Sequence, residues 1–329
     1  MALRLPDKWV WDFWLARNGP DYHVFYLQAP RALKDERLRH WNASIGHAVS
    51  QDLRRWKVLP DALRPSPAEG GAWDDYTTWT GSVIRHRGLW HLFYTGGNRA
   101  EKGLVQRIGL ATSGDLIHWD RHPSNPLIVA DPRWYELLDL DLWHDQAWRD
   151  PWVFCHPETG DFHALVTARV NYGPADGRGV IAHARSEDLI RWEVLPPVTE
   201  PGDFGHMEVP QLTRIDGRYY LLFSTVAGTH SARWRQRTGL EPVTGIHYVI
   251  ADDPLGPFRL SEDEFLVGDV VGSFYTAKLV PNADDKWVLL VSRQFTPEGA
   301  FLGELADPLP VEIDRAGDLS VDWRAQAQA

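Results

Sequence analysis

Cysteine is almost absent from this chain of 329 residues, which carries one, Cys155, and two methionines. A single cysteine excludes an internal disulfide and fits a reducing compartment. Cys155 itself reads as a small buried hydrophobe in a strand. Basic charge is also short: 34 Lys and Arg, scattered along the chain, stand against 45 Asp and Glu, a net charge of −11. That balance argues against nucleic acid or an anionic membrane surface as a partner. No apolar run approaches the length of a transmembrane span, and the N-terminus MALRLPDKWVWDFW lacks a charged segment followed by an apolar one. The expectation is a soluble, cytoplasmic protein. Tryptophan, by contrast, is abundant at 17 residues; such rings fill sheet cores and also wall carbohydrate sites.

Repetition dominates the rest. IGHAVSQDLRRWKVLP, from Ile45, returns as IGLATSGDLIHWDRHP from Ile108 and IAHARSEDLIRWEVLP from Ile181, with a degenerate copy from Ile246. A frame this long, met three times, marks a repeat architecture. Each copy opens with apolar and polar residues in alternation, as in a half-buried strand. Ser-x-Asp-Leu is turn chemistry, so Asp52, Asp115 and Asp188 read as turn residues. Trp56, Trp119 and Trp192 open a second short strand and read as core.

A further apolar strand precedes each copy: YHVFYLQ at Tyr22, WHLFYTG at Trp90, FHALVTA at Phe162, YYLLFST at Tyr219 and WVLLVSR at Trp287. Polar turns (RNGPD, RHRG, HPETGD, RIDGR, PNADDK) sit just before them and signal hairpins, hence one more strand upstream. The unit is a four-stranded antiparallel meander repeated five times. Radial repetition of such sheets is an all-β, five-bladed β-propeller around an axial channel. The whole chain, 1–329, is expected as one propeller domain, with blades at roughly 9–60, 73–123, 145–196, 204–261 and 270–315. The tail from Asp318 reads as a frayed terminus or a strand closing the ring.

The strands predicted innermost are WVWDFWLAR, TTWTGSVIR, AWRDPWVFC, HMEVPQLTR and GSFYTAKLV. Their starts point at one end of the channel, so Asp12, Asp150 and Glu208 are expected to converge from three blades. Carboxylates among Trp, Phe and Pro are poor candidates for solvated surface acids. Paired carboxylates cleave glycosidic bonds, one as acid and one as nucleophile or base. An aromatic wall raises the pKa of a carboxyl and keeps it an acid near neutral pH.

At these segments the chain resembles the five-bladed propeller glycoside hydrolases acting on furanosides, above all the β-fructofuranosidase (invertase) and levansucrase families. Trp11-Asp12-Phe13-Trp14 is similar to the levansucrase W-D-x-W segment, and Trp79-Thr80-Gly81-Ser82 to an aromatic-S-G-S segment. Arg149-Asp150-Pro151 matches R-D-P, Glu208-Val209-Pro210-Gln211-Leu212 resembles the invertase E-C-P-D-L, and Phe274-Tyr275-Thr276-Ala277 resembles F-Y-A. The resemblance implies Asp12 as nucleophile, Glu208 as acid/base, Asp150 as transition-state stabiliser and Arg149 as the group orienting the carboxylates.

Trp11, Trp14, Trp79, Ser82, Arg149, His206 and Tyr275 are the candidate substrate contacts. Trp79, Ser82 and Tyr275 serve equally well as packing, and Asp12, Asp150 and Glu208 have structural readings as a turn cap, an ion pair with Arg149 and a satisfied buried acid. His144 and Asp145 lie close enough in sequence to Arg149 to line the pocket, but one His and one Asp are too few for a metal. The expectation is therefore a retaining hydrolase of a small β-fructofuranoside, sucrose or a short fructo-oligosaccharide, with fructosyl transfer as a companion activity. It needs no metal or cofactor, and its partner is the saccharide. An inverting arabinofuranosidase- or xylosidase-type propeller and a non-catalytic sugar-binding propeller are the alternatives. Carboxyl separations of roughly 5–5.5 Å for retention against 6.5–9.5 Å for inversion divide the first two.

Overall fold

A strand such as FHALVTAR, buried at every position, needs cover on both faces of its sheet. The computed structural model, which describes residues 3–260 and 265–324, supplies that cover by setting five antiparallel sheets edge-inward around an axis. Blade one is β1 (Lys8–Asn18), β2 (Asp21–Pro30), β3 (Ser44–Ser50) and β4 (Lys57–Leu63). Blade two is β5 (Thr77–His86), β6 (Leu89–Gly97), β7 (Arg107–Ser113) and β8 (Asp120–Arg121). Blade three is β9 (Trp148–Cys155), β10 (Phe162–Arg169), β11 (Gly179–Ser186) and β12 (Glu193–Leu195). Blade four is β13 (Glu208–Ile215), β14 (Arg218–Thr225), β15 (Thr244–Ala251) and β16 (Arg259–Leu260), with β17 (Val267–Asp269) also on β15. Blade five is β18 (Phe274–Pro281) and β19 (Trp287–Phe295), then β20 (Phe301–Leu305) and β21 (Leu309–Ile313) both on β19, and β22 (Leu319–Val321) outermost. The expected five-bladed propeller is what forms, and the inner strands are the five segments picked from the sequence.

The core has no single centre. Its five hydrophobic clusters lie one at each interface between neighbouring blades. Trp11 and Trp14 of blade one pack with Trp90, Leu92 and Tyr94 of blade two, for instance. Burial between blades leaves the axis free for polar groups, because no apolar layer is needed there.

The Ser-x-Asp-Leu turns form as expected. Asp52 accepts from the backbone N–H of Arg54 and Arg55 at 2.9 and 2.8 Å, and Asp188 from those of Ile190 and Arg191 at 3.0 and 2.8 Å. The leucine of each turn, Leu53, Leu116 and Leu189, is left-handed and fully buried. Three expectations need correction. Trp56, Trp119 and Trp192 are half-buried at the rims of the clusters rather than in them, because the turn lifts them to the blade's outer edge. Cys155 is exposed, not buried, because β9 ends on it. As far as residue 324 the tail does not close the ring: Leu319–Val321 is the outer strand of its own blade, and Leu3 at the other terminus bridges Leu305 of blade five. Residues 325–329 of that tail, and residue 261 at the expected end of blade four, lie outside the described residues.

Candidate active site

Every inner strand carries a β-bulge at the same level. One extra residue is inserted after Trp11 in β1, after Trp79 in β5, after Arg149 in β9, after Glu208 in β13 and after Tyr275 in β18. A bulge re-aims the side chains around it and is frequent beside active sites. Asp12, Asp150, Val209 and Thr276 take positive φ there, a conformation that costs roughly 1–3 kcal/mol for a residue other than glycine. Gly81 follows the fifth bulge, where a Cβ would fall on the Phe93 carbonyl oxygen.

The five residues before the bulges, Trp11, Trp79, Arg149, Glu208 and Tyr275, all line one axial cavity of about 480 Å³. That size is ordinary for a small-molecule site. Of the inserted residues, Asp12, Thr80 and Asp150 line it too. The three carboxylates expected to converge do so.

Hydrogen bonds between blades hold them. Asp12 accepts from the hydroxyls of Thr276 at 2.5 Å and Thr80 at 3.4 Å, one from each neighbouring blade. Asp150 accepts from Thr167 Oγ1 at 3.0 Å and from the Val209 N–H at 3.1 Å. Glu208 accepts from Arg149 Nη2 at 2.5 Å and Nε at 3.1 Å, and from the Tyr275 phenol. Arg149 also donates to Asp145 at 3.1 Å and Gln106 at 3.0 Å, and the Gln106 amide donates to Asp145 at 2.6 Å.

These surroundings push the three acids apart. Burial raises Asp12, and the Glu208 charge adds to it, while Thr276, Arg39 and Lys278 oppose. Asp150 is pushed up to about 7, chiefly by burial, with Arg149 opposing. Burial would raise Glu208 as well, but it is held well below the ordinary range by His206, Arg149 and Tyr275. Burial keeps the His206 ring below its own usual value, so at neutral pH the pull on Glu208 is that of Arg149 and Tyr275. The surroundings thus shift Asp150 and Asp12, rather than Glu208, towards the protonated form, the reverse of what an aromatic wall around the acid would give, because Glu208 faces a guanidinium and a phenol.

Not every expected contact reaches the cavity. Trp14 is fully buried, stacked on Phe25. Ser82 is buried as well, accepting from Val153 N–H at 2.9 Å. Both stand three residues beyond the pre-bulge position, as do Trp152, Gln211 and Lys278. The inserted residue turns that position into the seam between blades: Gln211 pairs with the Leu279 backbone, and Lys278 donates to the carbonyls of Val209 at 3.0 Å and Pro210 at 3.4 Å. The Lys278 ammonium, buried over Trp152, is pulled down to about 7 by burial, with Asp150 and Asp12 opposing. His206 stands behind Glu208 rather than on the cavity wall, its Nε2 3.5 Å from Oε2.

Sequence reasoning missed one wall altogether. A 3-10 turn, Glu36–Asn42, leaves blade one and brings Arg39, His40 and Trp41 over the cavity. It is pinned to blade two, since the His40 carbonyl accepts from Trp79 Nε1 at 2.7 Å and Thr77 Oγ1 at 2.8 Å, and Trp41 stacks on Tyr76. Arg39 rests over Trp11 and Phe301. Nothing in the repeat frame signals this turn; Thr80, by contrast, occupies the slot of Asp12 and was readable. Exposed His144 and paired Asp145 line the rim as expected. Among the described residues no group of three or more His, Cys, Asp or Glu is placed to hold a metal ion.

Residues 15–291 match the glycosyl hydrolases family 32 N-terminal domain. The chain is 31% identical to an insoluble-isoenzyme β-fructofuranosidase of Arabidopsis thaliana over 228 residues, covering 65% of this chain and 35% of that protein. The extracellular sucrase of Zymomonas mobilis is 26% identical, with 98% of this chain and 83% of the sucrase covered. The chain therefore spans about a third of the plant relative's length but most of the bacterial one's. Among solved structures, the inulosucrase of Halalkalicoccus jeotgali bound to kestose superposes with a TM-score of 0.78 at 21% identity, covering 96% of this chain and 87% of that one. A thermostable family-43 glycoside hydrolase superposes with a TM-score of 0.68 at 15% identity over 97% and 94%; at such identities the likeness concerns the fold. A five-bladed propeller of β-fructofuranosidase type, with three acids from three blades around one axial cavity and a family match over most of its length, this chain belongs to glycosyl hydrolase family 32.

Proposed function

We propose that the protein hydrolyses a small β-fructofuranoside, sucrose or a short fructo-oligosaccharide, with retention, and passes the fructosyl group to sugar acceptors as a companion reaction. The observation that carries this reading is the set of three inner-strand carboxylates meeting in one cavity under Arg149.

Asp12 is the nucleophile in this reading. Its two oxygens are fixed by threonines from both neighbouring blades, and Arg39 and Lys278 favour its anion against burial. It attacks the anomeric carbon of the fructosyl ring while Glu208 gives a proton to the leaving oxygen; Glu208 then deprotonates water and the glycosyl ester is hydrolysed. Asp150, pushed up to about 7, is suited to hold sugar hydroxyls, and hydrogen bonds that strengthen as charge develops lower the barrier. Glu208 is anionic in the resting site, so its acid form needs a partner that favours it. A cytoplasmic location remains part of the proposal; the lone cysteine is compatible with it, and fractionation of cells producing the native chain tests it.

The test is fructose release from sucrose and short fructosides by the wild type, Asp12→Asn and Glu208→Gln, with the anomeric form of the first product followed by NMR. Release by the wild type as the β-anomer, and none by Asp12→Asn, is the expected result. An α-anomer would end the retaining assignment, and no release from any fructoside would end the substrate assignment. Substantial turnover by Asp12→Asn would end its role as nucleophile.

A further inference from the structure

His206 is a buried polar side chain with nothing to do. Its side chain is 8% exposed, and among the described residues neither Nδ1 nor Nε2 has a hydrogen-bond partner. Two unsatisfied ring nitrogens are expensive to bury and call for an explanation. The backbone leading into it is clamped. Gly205 N–H donates to the Thr229 carbonyl at 2.7 Å, and Gly179 N–H to the Phe204 carbonyl at 2.8 Å. A Cβ on Gly179 would fall 2.5 Å from His206 N, and Trp143 closes the other side with its ring edge-on at 6.2 Å.

What the ring does face is Glu208, with Nε2 3.5 Å from Oε2. An N–H beside a carboxylate closes to about 2.7–2.9 Å. At 3.5 Å the two make no hydrogen bond, and a proton on the carboxyl would close the gap. The other charged or titratable groups acting on the ring are Arg149 on β9, Asp145 and His144 in the segment before it, and His230 after β14. Burial, helped by Arg149 and His144, outweighs Glu208 and Asp145 and holds the imidazole below its usual value, and a neutral imidazole has one nitrogen free to accept.

We propose that His206 is a positioning residue for proton donation: its Nε2 accepts the hydrogen bond of the protonated Glu208 carboxyl, holding the acid in its proton-bearing form against Arg149. This rests on the reading of Glu208 as acid/base. In the step it serves, the Glu208 hydroxyl turns from Nε2 to the leaving oxygen, and its O–H bond breaks as an O–H bond forms there. The C–O bond to the fructosyl carbon breaks with its electron pair on that oxygen, and Glu208 returns to its anion beside Arg149. His206 neither gains nor loses a proton. It sets how often Glu208 is ready.

The experiment compares sucrose with an aryl β-fructofuranoside whose leaving group departs without a proton, using wild type, His206→Leu, His206→Asn and Glu208→Gln. General acid catalysis is worth about 10²–10⁴-fold, so losing part of it in His206→Leu should cost sucrose about tenfold more than the aryl fructoside. The basic limb of kcat/KM on sucrose should move down by about one pH unit while the acid limb stays. His206→Asn, which keeps an acceptor, should recover part of the loss. Equal losses on both substrates, no loss, or a basic limb that moves up would overturn the proposal. Glu208→Gln separates the two ideas: if it too spares the aryl fructoside and His206→Leu does not, only the role of His206 fails; if Glu208→Gln hits both substrates equally, the reading of Glu208 fails. A measurement independent of turnover is the ¹⁵N spectrum of the His206 ring in the intact protein. A proton on Nδ1 is expected, and one on Nε2 would overturn the proposal.

Discussion

Tyr275 of blade five donates its phenol to the carboxylate of Glu208 in blade four, so one blade disciplines the acid of the next. Removing the donor in Tyr275→Phe takes away an interaction that favours the Glu208 anion. The basic limb of kcat/KM on sucrose should therefore move to higher pH. The same bond strengthens as Glu208 regains its charge in the transition state, and a hydrogen bond to a charged group is worth about 1.5–3 kcal/mol, so kcat/KM at the optimum should fall about 10- to 100-fold. A pH–rate profile reads both; a limb that moves down would show that the phenol is not what holds the anion.

Asp150 is pushed up to about 7 in the folded protein, chiefly by burial, against an ordinary value near 3.8. The folded state therefore binds this proton more tightly than the unfolded one. Its contribution to stability is fully present below about pH 4 and is lost as the pH rises through 7. Asp150→Asn removes the buried charge and should resist urea better than the wild type at pH 8, by about 0.5–2 kcal/mol, with little difference at pH 4. Activity should fall by about 10²–10³-fold, the usual cost of deleting an electrostatic stabiliser.

Two hydrogen-bonded histidine pairs lie away from the cavity, His23 with His47 at 2.9 Å and His163 with His183 at 2.7 Å. Burial lowers His163 and His183 to about 4 and His47 to about 3. Here the unfolded chain binds the protons more tightly, so stability present above pH 6.5 is lost as the pH falls toward 4. Blade two holds Leu110 in the frame slot of His47 and His183, which shows that the fold accepts leucine there. His183→Leu should flatten the decline of Tm between pH 6.5 and 4; an unchanged slope would acquit the pair.

Lys278 sits between the acids and the seam below them. Its charge favours the anions of Asp12 and Asp150. Lys278→Met should raise the pKa of Asp12 further, and the acid limb of kcat/KM should move to higher pH. A limb that stays while activity falls would mean that Lys278 acts only through the Val209 and Pro210 carbonyls.

The fold was legible because its unit is stated in the chain several times: Ser-x-Asp-Leu turns and aromatic-led strands need only local chemistry to be read. The pre-bulge residues Trp11, Trp79, Arg149, Glu208 and Tyr275 were legible for the same reason, since they share one slot. Trp14 and Ser82 were misplaced because strand alternation assumes no insertion, and the bulge changes the face of whatever follows it. Arg39, His40 and Trp41 went unseen because their turn belongs to no repeat and is fixed by a distant carbonyl contact to Trp79 and Thr77. The state of Glu208 was also out of reach: whether a carboxyl holds its proton depends on which cation ends up 2.5 Å away.

The five bulges behave as sockets of one design wired to five independent sheets. Acid, hydroxyl and aliphatic plugs already occupy them: Asp12 and Asp150, Thr80 and Thr276, and Val209. What each socket receives decides chemistry, whereas the register that builds it is written elsewhere, in the strands and turns of its own blade. In a scaffold so divided, a substitution at the hub alters the chemistry without rewriting the strand register that builds the rim.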